Sequence, residues 1–273
     1  MKKIIIIVFA AIMAQYSVFA WGELGHEVII EIAQRHLTAE AKANIAHYMP
    51  YDLKLDAVWM DIHRRDKEIS FTHYWHEFAV DDNDTYDPGT ARTLRHGDAV
   101  QSLRAACYIL SDYKSQPDSV VIFHIRQLIH FVGDMHCPVH NKFPGKVAAK
   151  KCTMGNDLTG SFHYFYDASP NFLFPEMTAD EIAAKLDVLS KRERKKVAAG
   201  DYISVRGHRD YSAALYEWCH DIAARNRGIW DINESGATEL KPDTMELSRS
   251  IVETDLQYAG YRLARLLNEL FGK

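Results

Sequence analysis

Apolar residues recur every three or four positions through most of the chain after residue 20, which is the period of a helix with one buried face. In the first such segment, residues 21–37, the apolar positions are Leu24, Val28, Ile29, Ile32 and Ala33. Similar patterns predict further helices over residues 38–46, 52–67, 97–114, 119–136, 178–199, 209–227 and 243–271. Helix therefore accounts for most of the predicted secondary structure.

Two stretches lack the helical period. Residues 77–92 contain D-D-N-D-T-Y-D-P-G, a run of turn-forming residues that predicts a loop. Residues 141–160 mix glycine, lysine and asparagine and predict an irregular loop or a short hairpin. The charged run K-R-E-R-K-K near residue 195 is typical of a solvated helix face, with a substrate-tracking patch as the alternative. Without an internal repeat or linker in the sequence, one all-α domain is the economical prediction.

The first 20 residues have the pattern of an export signal. They begin M-K-K, continue through the apolar run I-I-I-I-V-F-A-A-I-M, and end in S-V-F-A, which resembles a cleavage site. The apolar run is short for a membrane span, although an uncleaved anchor is the alternative. We expect cleavage after Ala20, a new N-terminus at Trp21, and a secreted or periplasmic protein without stable membrane association.

Charge limits how a polyanion would be bound. The full chain has 32 basic and 37 acidic side chains, a net charge of −5. Loss of Lys2 and Lys3 with the signal would leave 30 basic residues against 37, a net charge of −7. Because proteins that hold nucleic acid by bulk charge are basic, a nucleic-acid substrate would have to be attracted locally, for example by metal ions.

The four cysteines permit two disulfides in an exported protein, with three possible connectivities. A Cys137–Cys152 bond would close a loop around His140 and is the preferred pairing. Four free thiols are the alternative.

The most informative stretch is residues 125–140, I-R-Q-L-I-H-F-V-G-D-M-H-C-P-V-H. His130 and Asp134 are four apart and share one helix face, among apolar neighbours that predict burial. Pro138 should end the helix and leave His140 on the following turn. Imidazole and carboxylate are ligands of zinc and similar metals, and a buried carboxylate without a partner would be costly. Alone, this spacing is weak evidence in a chain with 14 histidines.

Other parts of the chain supply more groups of the same kind. H-Y-F-Y-D repeats the four-residue His/Asp spacing. Taken singly, His163 also fits a hydrogen-bonded core histidine, and Asp61 fits a surface acid. The full set of candidate ligands is Trp21 through a free amine, His26, Asp61, His76, His130, Asp134, His140, His163 and Asp167.

The order and spacing of these residues resemble the S1/P1 nucleases, zinc-dependent secreted enzymes of fungi, plants and bacteria. W-G-E-L-G-H is similar to the family's W-G-x-x-G-H, and W-M-D-I-H-R to its W-A-D segment. I-H-F-V-G-D-M-H-C-P-V-H resembles H-F-x-G-D-x-H-Q-P-L-H, M-G-N-D resembles G-G-N-x, and F-H-Y-F-Y-D resembles L-H-x-x-W-D. The C-terminal A-G-Y-R-L-A-R-L-L-N also looks like the family's last helix, so the resemblance covers essentially the whole chain after residue 20.

The resemblance implies a compact all-α domain of the phospholipase C/P1 nuclease type, with three zinc ions in a cleft. The first ion would be held by Asp61, His76, His130 and Asp134. The second would be held by His140, His163 and Asp167. The third would be held by the Trp21 amine and carbonyl, His26 and Asp134.

The implied activity is hydrolysis of phosphodiester bonds in single-stranded DNA or RNA by a monomer, giving 5′-phosphates through metal-activated water. Asp61, Asp134 and Arg64 would be the catalytic residues. Arg64 lies one helical turn after Asp61 and would pair with the phosphate, with an ordinary surface arginine as the alternative. Two other functions stay open: a zinc-dependent phospholipase C, whose N-terminal Trp-to-His spacing is longer, and a non-catalytic exported zinc binder.

The sequence departs from the family at several positions near the ligands. His76 is favoured over His73 as the ligand in T-H-Y-W-H, and His136 matches a position that is not a ligand. Cys137, Met154 and Tyr166 replace the family's Gln, Gly and Trp. In fungal members an aromatic and an acidic residue that help to hold a base follow the histidine; here these positions are Glu77 and Ala79. A carboxylate at residue 77 is expected to repel a phosphate.

Overall fold

The computed structural model describes residues 21–147, 152–154, 158–232 and 242–272. Within these residues it contains the helices α1 (Gly22–Arg35), α2 (Ala39–Tyr48), α3 (Trp59–His63), α4 (Ala91–His96), α5 (Ala99–Leu110), α6 (Asp118–His136), α7 (Phe162–Asp167), α8 (Ser169–Leu173), α9 (Ala179–Leu186), α10 (Lys191–Val197), α11 (Ser212–Ile232) and α12 (Pro242–Phe271). Single 3₁₀ turns occur at Leu53–Asp56, Ser70–Tyr74, Tyr113–Ser115 and Pro138–His140. The prediction of an all-α fold is confirmed.

The described part of the chain also contains three small two-stranded sheets between the helices. Strand β1 (Phe78–Ala79) is parallel to β2 (Asn141–Lys142). The other two sheets are antiparallel hairpins, formed by β3 (Cys152–Met154) with β4 (Leu158–Gly160) and by β5 (Ile203–Val205) with β6 (His208–Asp210). The β1–β2 pairing matters most for the position of the candidate ligands, because it holds the segment after His76 beside the segment after His140.

The apolar faces of the longer helices form one connected core. Helix α1 packs chiefly on α12, and α6 packs on α5 and α12. Ile29 and Ile32 on α1 are fully buried, as are Leu128, Ile129 and Val132 on α6. Because burial of a side chain this size stabilises by about 1.5–3 kcal/mol, these contacts fix the positions of the polar groups at the ends of α1 and α6.

Local capping explains where several helices begin. Thr38 accepts a hydrogen bond from the backbone N–H of Ala41 and so caps α2. Segment 178–199 is two helices, because Thr178 and Ser190 each form a capping box with the glutamate three residues later.

The prediction of a continuous helix over residues 52–67 was wrong. The segment is a 3₁₀ turn, then the short α3, then turns. Side chains from α6 hold this broken path: the Arg126 guanidinium pairs with Asp56 (Nε to Oδ2 2.9 Å) and lies over the Trp59 ring. The predicted loop over residues 77–92 also contains β1 and the start of α4.

The preferred disulfide, Cys137–Cys152, is not formed. Cys137 is a buried free thiol, as are Cys107 and Cys219. Its sulfur instead faces the Asp167 carboxylate at 3.6 Å. The signal segment 1–20, residues 155–157 of the M-G-N-D loop and the Cys152 side chain lie outside the described residues.

Within the described residues, no helix is both long enough and apolar enough to cross a bilayer.

Candidate metal centre

The C-terminal half of α6 carries the centre of a buried polar cluster. His130 Nδ1 lies 2.9 Å from the Ala57 carbonyl oxygen, so this nitrogen donates to the carbonyl. The opposite ring nitrogen, Nε2, then faces two carboxylates, 3.3 Å from Asp134 Oδ2 and 3.6 Å from Asp61 Oδ2. A backbone acceptor that fixes the tautomer of a histidine in this way is a common support for a metal ligand.

Asp134 contacts histidines from three other segments. Its Oδ2 lies 2.8 Å from His76 Nδ1, and its Oδ1 lies 3.4 Å from His26 Nε2 and 3.9 Å from His140 Nδ1. Asp134 is fully buried, and so is His26. One carboxylate on the last turn of α6 therefore joins groups from α1, from the segment before β1 and from the turn after α6.

Gly133 makes room for this arrangement. A Cβ atom at this position would lie 2.7 Å from His26 Nδ1 and 2.9 Å from His26 Cε1. Without it, the His26 ring lies against α6 and stacks on His130 with ring centroids 4.3 Å apart. The glycine inside H-F-V-G-D is thus required by the close approach of α1.

A second group of ligand types lies around Asp167. His163 Nε2 is 3.1 Å from Asp167 Oδ2, and His140 Nε2 is 3.8 Å from Asp167 Oδ1. Ser161 caps α7 by accepting from the Tyr164 N–H, which sets the helix that presents His163 and Asp167 four residues apart. The His163 side chain is 29% exposed, whereas Asp167 is buried, so the cluster opens to solvent at His163.

Trp21, the residue before α1, is anchored beside the cluster. The indole is fully buried and its Nε1–H donates to the Gly133 carbonyl at 2.8 Å. Burial raises the pKa of the nearby Cys137 thiol, and the Trp21 backbone N–H opposes this rise. The start of α1 is therefore tied to α6.

The structure brings the eight predicted ligand side chains into one continuous network, with the Trp21 backbone beside it. Of the two competing histidines, His76 is in the network, whereas His73 is exposed. His136 lies apart, where its ring contacts the Val132 carbonyl and the Arg262 guanidinium. Arg64 ends α3 and folds back so that its Nη1 lies 3.2 Å from Asp61 Oδ1.

Burial and charge act in opposite directions within the network. Burial opposes ionisation of Asp134, but the imidazoles of His130, His26 and His76 hold the pKa of its carboxyl well below the usual range. Burial also disfavours a charged His130, yet the carboxylates raise its pKa to about 9. Around Asp167 burial dominates, raising that carboxyl's pKa to about 6 and lowering the pKa of His140 to about 3.

The donor set fits bound metal ions. Among the described residues, the buried atoms without a well-formed hydrogen bond include both ring nitrogens of His26, His76 Nε2, His140 Nδ1, Asp61 Oδ2 and Asp134 Oδ1. Buried polar atoms are rarely left without partners, and an ion is one of the few things that satisfies several at once. Three groups of the described residues each offer three donor atoms that lie within 4.8 Å of one another. The groups are His26/Asp61/His130, His76/His130/Asp134 and Cys137/His140/Asp167.

The sequence did not predict that Glu77, beside this cluster, is paired with two cationic side chains. Glu77 Oε1 lies 2.9 Å from Lys142 Nζ, and the second carboxylate oxygen pairs with Arg92. Burial opposes ionisation of Glu77, but Lys142, His140 and Arg92 lower its pKa to about 2. The group borders a recess of about 210 Å³ that Tyr74 also lines. We expected Glu77 to repel phosphate because the sequence shows no partner for its charge. In the structure, two cationic side chains offset that charge.

In this all-α fold the buried histidine–carboxylate cluster could hold metal ions, and its nitrogen and oxygen donors are typical of catalytic rather than structural zinc sites. The S1/P1 Nuclease family model matches residues 21–272, and the chain belongs to this family.

Two relatives agree with this assignment. Nuclease S1 of Aspergillus oryzae is 22% identical over 290 residues, which cover 98% of this chain and 98% of the relative. Endonuclease 2 of Arabidopsis thaliana is 24% identical over 280 residues, covering 94% of this chain and 92% of the relative. The family and both names support a nuclease.

Proposed function

We propose that the protein is an exported, zinc-dependent nuclease that hydrolyses phosphodiester bonds of single-stranded DNA or RNA and leaves 5′-phosphates. The observation that carries the proposal is the buried network around Asp134, in which histidines from three other segments converge on one carboxylate. Three zinc ions would be held as the family resemblance implies, with Asp134 shared between two of them. Bound zinc would supply Lewis-acid chemistry, lowering the pKa of water and withdrawing charge from phosphate.

The chain's own residues prepare the centre for such ions. Ala57 fixes the ring of His130, Gly133 admits the ring of His26, and α7 presents His163 and Asp167 together. These supports keep the donor atoms close before any ion binds, so little reorganisation is needed on binding. The carboxylates supply negative charge that offsets the charge of closely spaced cations.

Arg64 is the proposed phosphate contact. Its guanidinium is held against Asp61 Oδ1 but its side chain remains 21% exposed, so it lies between the buried cluster and solvent. Arginine pairs with phosphate through two parallel N–H donors. With 30 basic and 37 acidic side chains after loss of residues 1–20, a net charge of −7, the exported protein would attract a polyanion through such local cations and the bound metals rather than through its overall charge.

Export completes the proposed site, because removal of residues 1–20 would free the Trp21 amine beside Cys137. The expected product is a secreted or periplasmic monomer.

The test uses the mature protein beginning at Trp21. Its metal content is measured by mass spectrometry, and the protein is then given a defined single-stranded oligonucleotide and, separately, a phosphatidylcholine dispersion. We expect zinc in the protein and 5′-phosphorylated fragments from the oligonucleotide. Release of phosphocholine without oligonucleotide cleavage would indicate a phospholipase C, and zinc without either activity would indicate a non-catalytic binder.

Arg64 and Arg65 provide a matched pair for the phosphate contact. Arg65 is exposed and adjacent, whereas Arg64 lies on Asp61. A hydrogen bond between charged groups is worth about 1.5–3 kcal/mol, so Arg64→Ala should lower kcat/KM by about 10- to 100-fold. Arg65→Ala should change it little. Equal effects of the two substitutions would remove Arg64 from the proposal.

A further inference from the structure

Cys137 occupies a position within the metal centre that the proposed ligand set does not use. It is fully buried, and its sulfur is 3.6 Å from Asp167 Oδ1. The donor atoms of Cys137, His140 and Asp167 lie within 4.8 Å of one another. The distances place the thiol among the atoms expected to bind the second ion.

The backbone after α6 produces this proximity. Pro138–His140 is a 3₁₀ turn for which Cys137 is the N-cap, and the His140 N–H donates to the Cys137 carbonyl at 2.9 Å. This short turn brings the donor atoms of Cys137 and His140 within 4.8 Å of each other. A cysteine three residues from a second ligand is a spacing found in zinc sites.

A second observation points to a ligand at this place. Asp167 is only 2% exposed, and its Oδ2 makes no well-formed hydrogen bond with the described part of the chain. His163 Nε2 lies 3.1 Å from this oxygen. A buried carboxylate oxygen in this condition is costly unless an ion or a similar partner satisfies it.

We infer that Cys137 is an additional metal ligand, which binds through its thiolate the ion held by His140, His163 and Asp167. This inference rests on the proposed function, from which it takes the presence of zinc. When the sulfur–metal bond forms, the thiol proton that now points to Asp167 is released to solvent. No oxidation or reduction is involved.

Two properties of the site follow. Four protein ligands fill a tetrahedral zinc ion, so water or phosphate would join this ion as a fifth ligand, a coordination number that catalytic zinc can reach in the transition state. A soft sulfur donor also favours zinc over magnesium or manganese at this position, because those ions prefer oxygen. The second ion would then be held more tightly and more selectively than three nitrogen and oxygen ligands allow.

The test is X-ray absorption at the zinc edge of the mature, zinc-loaded protein, which needs no variant. A sulfur ligand gives scattering at about 2.3 Å, separate from nitrogen and oxygen at about 2.0–2.2 Å. We expect a sulfur shell that is lost in Cys137→Ser and retained when Cys107, Cys152 or Cys219 is replaced by serine. Zinc with only nitrogen and oxygen neighbours would overturn the inference and leave the proposed function standing.

Cobalt provides an independent measurement. Cobalt-loaded wild type should show thiolate-to-cobalt charge-transfer absorption in the near ultraviolet, and Cys137→Ser should keep the weaker visible bands of nitrogen and oxygen ligands while losing this absorption. Cys137→Gln, which restores the family's residue, should lower affinity for one ion by at least about tenfold. Unchanged affinity and spectra in both variants would refute the inference. A wild type that binds neither zinc nor cobalt would refute the proposed function as well.

Discussion

Replacing Gly133 with alanine tests whether the close approach of α1 and α6 is what assembles the metal centre. The new Cβ would lie 2.7 Å from His26 Nδ1, whereas ordinary contacts begin at 3.4 Å. The His26 ring would therefore have to move by about 0.7 Å. Donor distances at metal sites tolerate changes of only about 0.2 Å, so the ion that uses His26 should be lost or bound much more weakly.

The stability change follows from two opposing contributions. Overpacking a buried site costs about 1–3 kcal/mol, whereas alanine in a helix interior is favoured over glycine by up to about 1 kcal/mol. Gly228 is the matched control, because it is also helical and, among the described residues, its added Cβ would meet Leu247 Cδ2 alone, at 3.6 Å. Gly133→Ala should therefore be about 1–3 kcal/mol less stable than Gly228→Ala.

The assay compares the two variants without and with metal. In the presence of chelator, a difference of about 2 kcal/mol in the free energy of unfolding between the two variants corresponds to a melting temperature roughly 4–8 °C lower for Gly133→Ala in a chain of this size. After zinc loading the difference in melting temperature should increase. Bound metal stabilises the folded state, and Gly133→Ala should bind less of it. Equal melting temperatures together with full zinc content in both variants would show that the His26 ring is not fixed by Gly133.

Three other predictions concern the same centre. Asp134→Asn keeps the size of the side chain but removes the charge that faces His76 and His130, so activity should fall by several orders of magnitude and metal analysis should find less zinc; near-normal turnover would rule out a shared ligand. A protein that retains an initiator methionine before Trp21 has no free amine there, and it should bind less zinc and lose most activity relative to a protein with a cleaved signal; equal zinc content and turnover would contradict this. Glu77→Gln leaves Lys142 and Arg92 without their carboxylate partner, so KM for a short oligonucleotide should fall at low salt, an effect that added salt should weaken; an unchanged KM would place substrate contacts elsewhere.

The sequence predicted the parts of the site that depend on local spacing. His130 and Asp134 lie on one helix face, and Pro138 ends α6 before His140. The long amphipathic helices were predicted for the same reason, because one face must be apolar wherever it packs on the core. These features need only neighbouring residues to be defined.

Other features depend on contacts between distant segments, which no local pattern contains. The path of residues 52–67 is held by Arg126 from α6. The Cys137 thiol is free and contacts Asp167, which lies 30 residues further along the chain. The pairing of Glu77 with Lys142 follows from the β1–β2 ladder, two strands of two residues each, separated by about 60 residues of sequence. Strands this short give almost no periodic signal.

That ladder also connects the recess to the metal centre. Phe78 pairs with Asn141 and Ala79 with Lys142, so the same backbone segments carry His76 and His140 into the centre and Glu77 and Lys142 to the recess. A substitution that alters the ion pair at the recess therefore acts on a backbone that also positions two ligands. For Glu77→Gln, a lower KM counts as evidence about substrate charge only if zinc content stays at the wild-type level. A change in both would mean that the ladder had shifted and that His76 or His140 had moved with it.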